Sequence, residues 1–185
     1  DWDAAMVCGW RGRVALAEQD GPTAEEDARK ALAYGGDAVD RPESAVAHSM
    51  LVRALSMQPD RELDLADAAL SAAAAWDGVS QPDRVHHIFQ AAFAYCSIER
   101  YGEAAELFSM ALPHAELCYQ PVDIAMARQR YGECLREAGR HRDAAAEYLR
   151  AAALVSADPH NQVAHAHFAW AAAAELGAAG ATEQA

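Results

Sequence analysis

The chain has 185 residues, enough for one compact domain or one array of repeats. Its net charge is −13, with Lys30 the only lysine, a balance that repels phosphate backbones and argues against direct nucleic-acid binding. No apolar run approaches the ~20 residues that a membrane-spanning helix needs, and no charged-then-apolar leader opens the sequence.

Hydrophobic residues make up 52% of the chain, largely as alanine, which favours helix and close helix packing. The sequence starts at Asp1 without Met, as a fragment of a longer protein would. Cys8, Cys96, Cys118 and Cys134 show no CxxC spacing and read as small packed residues in a reducing cytoplasm.

Taken in order, the chain divides into helical hairpins. The first spans residues 2–36 and turns at Gln19-Asp20-Gly21-Pro22. Thr23 and Glu26 have the spacing of a capping box that opens its second helix, and Gly35-Gly36 closes it as a left-handed C-cap permits. Asp40 and Pro42 open the second hairpin, residues 42–76, which breaks at Gln58-Pro59-Asp60. Its first helix carries two apolar stripes, Met50/Ala54/Met57 and Leu51/Leu55, a pattern suited to packing on more than one side.

The third hairpin covers 82–118 and turns at Arg100-Tyr101-Gly102; Ile88, Ala91, Ala92 and Tyr95 form its inward stripe. Phe89 and Phe93, four apart, line up on a neighbouring face. Pro113 falls inside its second helix, where a lost hydrogen bond predicts a kink. The fourth hairpin, 121–155, turns at Ala138-Gly139-Arg140. A ninth helix covers 159–176, with Val163, Phe168 and Trp170 on its apolar face. Residues 177–185, rich in Gly and Ala, read as a flexible tail.

A ladder of mostly small residues recurs through the four hairpins at spacings of 12, 4 and 3. Its members are Gly12, Ala24, Ala28 and Ala31, then Ala54, Ala66, Leu70 and Ala73. The series continues through Ala92, Ala104, Phe108 and Ala111, then Gly132, Ala144, Tyr148 and Ala151. Successive anchors Ala24, Ala66, Ala104 and Ala144 give periods of 42, 38 and 40 residues, the signature of an α-solenoid. Gly132 and Ala144 are expected to face each other where the helices of the fourth hairpin cross.

This ladder resembles the tetratricopeptide repeat (TPR) family: paired helices, small residues at the crossings, an aromatic in the second helix. Gly132, Leu135, Ala144, Tyr148 and Ala151 carry the best match, followed by Ala92, Tyr95, Ala104, Phe108 and Ala111. The first two hairpins put Ala28 and Leu70 in place of the aromatic. The period near 40 is similar to the longer-helix variety found in bacterial regulators. The resemblance implies an all-α right-handed superhelix of about nine helices, forming one repeat domain over residues 1–176. It also implies a concave groove built from the first helices, here Met6 and Arg13; His48, Leu51 and Leu55; His86, Phe89 and Phe93; and Gln129, Glu133 and Arg136. The family's carboxylate clamp is mostly missing, its places holding Gly9, Arg13, Val52, His86 and Gln90, which argues against chaperone-tail binding.

Signals for chemistry are sparse. His114 and Cys118 have helical i,i+4 spacing but no third ligand. His86-His87 and His165/His167 are spaced so that neither pair shares a helix face. Arg128, Arg130, Arg136, Arg140 and Arg142 cluster, as a solvated helix face does. No nucleophile elbow, phosphate loop or HExxH motif occurs. The expectation is a non-enzymatic cytoplasmic scaffold without cofactor or metal, binding a protein or peptide as an interaction module of a bacterial regulatory or signalling protein. The alternative is a sensor that changes conformation around a signalling peptide. The ninth helix has Glu175 as its sole charge from Val163 to Gly180 with the histidines neutral. Its outer face, carrying some of Trp170, Ala173 and Ala174, therefore lacks a cover, which homodimerisation, further chain or plain exposure would each satisfy.

Overall fold

The computed structural model describes residues 2–35 and 42–183. Among them are nine α-helices and no strand. The helices are α1 (Trp2–Ala17), α2 (Gly21–Gly35), α3 (Pro42–Ser56), α4 (Glu62–Ala75), α5 (Gln81–Ser97), α6 (Tyr101–Ala115), α7 (Pro121–Glu137), α8 (His141–Val155) and α9 (Gln162–Glu183). A single 3₁₀ turn, Pro159–Asn161, precedes α9. The chain forms two compact units, one through Ile98 and one from Glu99. In the first, α1 to α5 pack in sequential order, and α1 also touches α3; in the second, α6 to α9 pack likewise.

The ladder forms the core. Every member is buried except Leu70, which is half-exposed, and Ala24, Ala28, Ala54, Ala66, Ala92, Ala104, Phe108, Ala111, Ala144 and Ala151 are fully inaccessible. Alanine suits these positions because a methyl group lets two helices approach without losing side-chain entropy. Where the residue shrinks further, to glycine, a neighbour's side chain fills the space. A Cβ on Gly132 would lie 2.9 Å from a Tyr148 ring carbon, so Gly132 faces Tyr148, not Ala144 as expected. A Cβ on Gly12 would lie 2.6 Å from Met50 Sδ. Ile88, Ala91, Ala92 and Tyr95 are all buried, as their stripe predicts.

Each hairpin turn carries one residue in the left-handed region: Gln19, Asp60, Glu99 and Gly139, at φ of 63°, 58°, 61° and 73°. They recur at roughly the ladder's own period of ~40 residues. Gly139 alone adopts this conformation without a Cβ penalty.

Several local readings change. α2 begins at Gly21, and Asp20 caps it by accepting a hydrogen bond from the Thr23 amide at 3.1 Å, while Glu26 pairs with Lys30 instead of closing a capping box. Asp precedes Thr23 by three residues, and its carboxylate reaches the free amide first. Gly36 and Asp40 lie outside the described residues. Pro113 sits in the last turn of α6, which continues to Ala115. α9 runs on through Glu183, so 177–183 extend the helix where a tail is expected; alanine's helix propensity outweighs the two glycines there. Cys8 and Cys134 are buried and Cys96 half-buried, whereas Cys118 is exposed, because α6 ends before reaching it. For the same reason His114 and Cys118 do not share one helix face.

Candidate functional site

In the first unit, α1 and α3 run side by side in the same direction, since Gly12 meets Met50 and Cys8 packs with Ala47. α2 forms the floor between them through Ala31 and Leu32. The result is a cleft of about 300 Å³. Trp2, Met6 and Trp10, four residues apart, place one apolar stripe of α1 along it. Val46 and Met50 of α3 stand opposite. Trp2, Met6, Trp10 and Val46 keep between 41% and 60% of their surface exposed, so the cleft is open to solvent. Polar side chains lie at its two ends: Glu43 and Ser44 in the first turn of α3, and Arg13 one turn beyond Trp10. The Arg13 guanidinium stacks 5.1 Å from the Trp10 ring centroid. Met6 and Arg13 are groove positions expected from the sequence; the two tryptophans are not, although their i,i+4 spacing from Met6 was readable.

The other expected groove residues of this unit lie on α3 and α5. His48 and Leu51 are half-buried, and Leu51 packs on the cluster of Leu16, Met50 and Ala54. Leu55 is fully buried and belongs to the core, so the second apolar stripe of α3 is covered at that end. His86 is exposed, with its ring edge-on to His87 at 5.3 Å. Phe89 is half-buried, and Phe93 is 40% exposed with the two rings 6.5 Å apart.

Behind this strip a polar network ties three helices together. The Trp76 indole donates to Ser49 Oγ at 2.8 Å, Ser49 Oγ lies 2.7 Å from His87 Nε2, and His87 Nδ1 lies 2.8 Å from Gln90 Oε1. A serine–histidine pair invites a nucleophilic reading, but His87 is only 5% exposed and Ser49 Oγ also donates to the Ala45 carbonyl. The hydroxyl is thus occupied on both sides, and the pair holds α3, α4 and α5 in register. Burial pulls the His87 and His48 pKa values below the ordinary histidine range.

α2 is locked by a buried carboxylate. Glu25 accepts from Gln58 Nε2 at 2.6 Å and from both terminal nitrogens of Arg61 at 3.0 and 3.2 Å, and pairs with Arg29. Burial works against its charge, but the donated hydrogen bonds from Arg61 and Gln58 outweigh it and hold its pKa below the usual value. Asp27 is also buried, with Arg11 3.4 Å away.

In the second unit the remaining expected groove residues sit on α7. Gln129 Nε2 donates to Glu133 at 3.0 Å, Glu133 pairs with Arg130 at 2.7 Å, and exposed Arg136 pairs with Glu137 at 2.7 Å. Arg140 pairs with Asp143, and Arg128 bridges buried Glu147 at 2.5 Å and Glu116. The arginine cluster is therefore matched by carboxylates rather than assembled into an anion site. α9 docks through Phe168, which packs with Ala125, Ala151, Ala152 and Val155, and through Glu175, whose carboxylate lies 2.8 Å from His141 Nδ1. Val163 and Trp170, read with Phe168 as one face, lie outside at 84% and 70% exposure. Ala173 and Ala174 join them on the uncovered side.

Among the described residues, no group of three His, Cys, Asp or Glu side chains is placed to hold a metal, and no helix is long and apolar enough to cross a membrane. The architecture is the TPR-like repeat fold. Two solved structures of kinesin light chain TPR-like repeats from Podosopora anserina superpose on it. One gives a TM-score of 0.71 at 14% identity, covering 97% of this chain and 91% of its own. The other gives 0.70 at 15%, covering 97% and 92%. No protein-family model and no curated protein sequence matches the chain.

Proposed function

We propose that this protein is a non-catalytic scaffold that binds a protein or peptide through the first unit, as TPR-like repeats commonly do, and that it serves a larger regulatory or signalling assembly. The observation that carries the reading is the strip on α3 and α5. Phe93 is 40% exposed beside Phe89, with His86 and Leu51 along the same helices, in a unit whose interior is largely alanine. A large aromatic left half in water costs free energy that a partner would recover. Covering the exposed part of Phe93 would contribute about 1 kcal/mol, or roughly a fivefold change in Kd.

The experiment compares the wild type with Phe93→Ala in affinity capture from native extract, followed by titration of the captured partner. Loss of binding by roughly fivefold or more, with an unchanged circular dichroism melt, supports the proposal. Undiminished binding, or unfolding of the variant, would refute it.

A further inference from the structure

The cleft between α1 and α3 has a composition that the scaffold reading does not use. Its volume of about 300 Å³ lies at the small end of the range typical of small-molecule sites. Its walls are apolar over the length of the Trp2–Met6–Trp10 stripe, about 12 Å at the helical rise. Its two ends differ in charge. Gly12 is level with Met50 and Cys8 with Ala47, so Glu43 stands level with the Trp2 end and Arg13 marks the other. Most arginines of this acidic chain pair with carboxylates, whereas Arg13 makes no ion pair among the described residues and stacks on Trp10 instead. Stacking uses the face of the guanidinium and leaves its in-plane N–H groups for a carboxylate.

We propose that this cleft binds a small amphiphile: an unbranched apolar body lying along Trp2, Met6 and Trp10, with a single carboxylate at Arg13. Glu43 repels the carboxylate from the opposite end and so fixes the orientation. A peptide fits less well. Its backbone carries an N–H and a C=O at every residue, and buried amides without partners are costly. Along the walls only Ser44, Glu43, Arg13 and the indole N–H groups of Trp2 and Trp10 have polar atoms to offer them, too few for a backbone that brings two polar groups per residue. An alkyl body asks for none. The site goes beyond the scaffold reading and does not depend on it.

Three probes that share one alkyl chain and differ in head group test the assignment: decanoate, decanol and decyltrimethylammonium, each below its micelle-forming concentration. Full-length protein is titrated by calorimetry and by tryptophan fluorescence, to which Trp2 and Trp10 in the cleft contribute. Decanoate is expected to bind at least tenfold more tightly than decanol, and the cation more weakly than either. Arg13→Gln should bring decanoate to the decanol level and leave decanol unchanged. Val46→Trp, which fills the cleft from an exposed position, should abolish binding of all three while the circular dichroism spectrum stays native. Equal binding of the three probes, no saturable binding, or indifference to either substitution would overturn the proposal. So would an apolar peptide with a free C-terminus that binds as tightly as decanoate.

Discussion

Gly132→Ala measures how tightly the second unit is closed. The added methyl carbon would sit 2.9, 3.0 and 3.2 Å from three carbons of the Tyr148 ring. Real Cβ contacts are wider than this, so one side must give. The ring is rigid and only 3% exposed, and burial also pushes its phenol pKa up to about 12. It has nowhere to swing. Overpacking a site of this kind costs on the order of 1–3 kcal/mol, and the gain in helix propensity from glycine to alanine returns about 1. The net expectation is a loss of about 1 kcal/mol, or roughly 2–4 °C in Tm for a chain of this size.

Gly12→Ala supplies the contrast. Its closest neighbours are nearer still, at 2.6 and 2.9 Å, but they are the Sδ and Cε of Met50, the free end of a flexible side chain. Rotation about the methionine torsions should absorb the methyl group, leaving stability within about 0.5 kcal/mol of wild type. Urea titrations followed by circular dichroism, with Tyr148→Leu completing a double-mutant cycle at Gly132, separate the two cases. Removing the ring should turn the Gly132→Ala loss into a gain. If Gly132→Ala is neutral in the wild-type background, or if its cost is the same with leucine at 148, the close approach does not control this crossing.

Burial lowers the His48 and His87 pKa values, so the folded first unit holds both neutral while the unfolded chain protonates them near 6.5. Stability should therefore be full above about pH 6.5 and fall below it, by at most about 1.4 kcal/mol per pH unit per histidine, before carboxylate titration begins. At His87 the hydrogen bond with Gln90 and, less strongly, Asp83 oppose the effect, whereas His86 and His48 reinforce it. Urea midpoints at pH 7.5 and 5.5 check this, and a His87→Gln variant with the same pH slope as wild type would contradict it. Arg128→Ala should cost about 2 kcal/mol, because Glu147 stays buried with Arg150 as its remaining partner, and Glu147→Gln should restore part of the loss. An additive double variant would refute the pairing. Trp170→Glu should leave the thermal melt within about 0.5 kcal/mol of wild type, since the residue is 70% exposed. A marked drop would mean that the outer face of α9 is covered in solution, and sedimentation would then identify the cover.

The sequence by itself determined the repeat, and with it the fold. A helical crossing admits only small residues, so three of the four rungs in each hairpin had to appear as glycine or alanine at fixed spacing, and the turns between helices had to fall at the same period. It could not determine which faces are covered in helices that are apolar on nearly every side. Alanine carries no directional signal: in α9 Phe168 turns inward while Val163 and Trp170 turn out, and in α3 Leu55 is sealed in the core while Leu51 stays half-open. Only tertiary packing settles such cases, because the neighbour that covers a face lies about 40 residues away in a solenoid. The same holds for polar partners. That Tyr148 rather than Ala144 fills the space at Gly132, that Glu25 is held by Arg61, and that α1 and α3 leave an apolar cleft between them are consequences of how the helices meet. Spacing along the chain gives each residue a helix face, and the packing of the helices decides what that face meets.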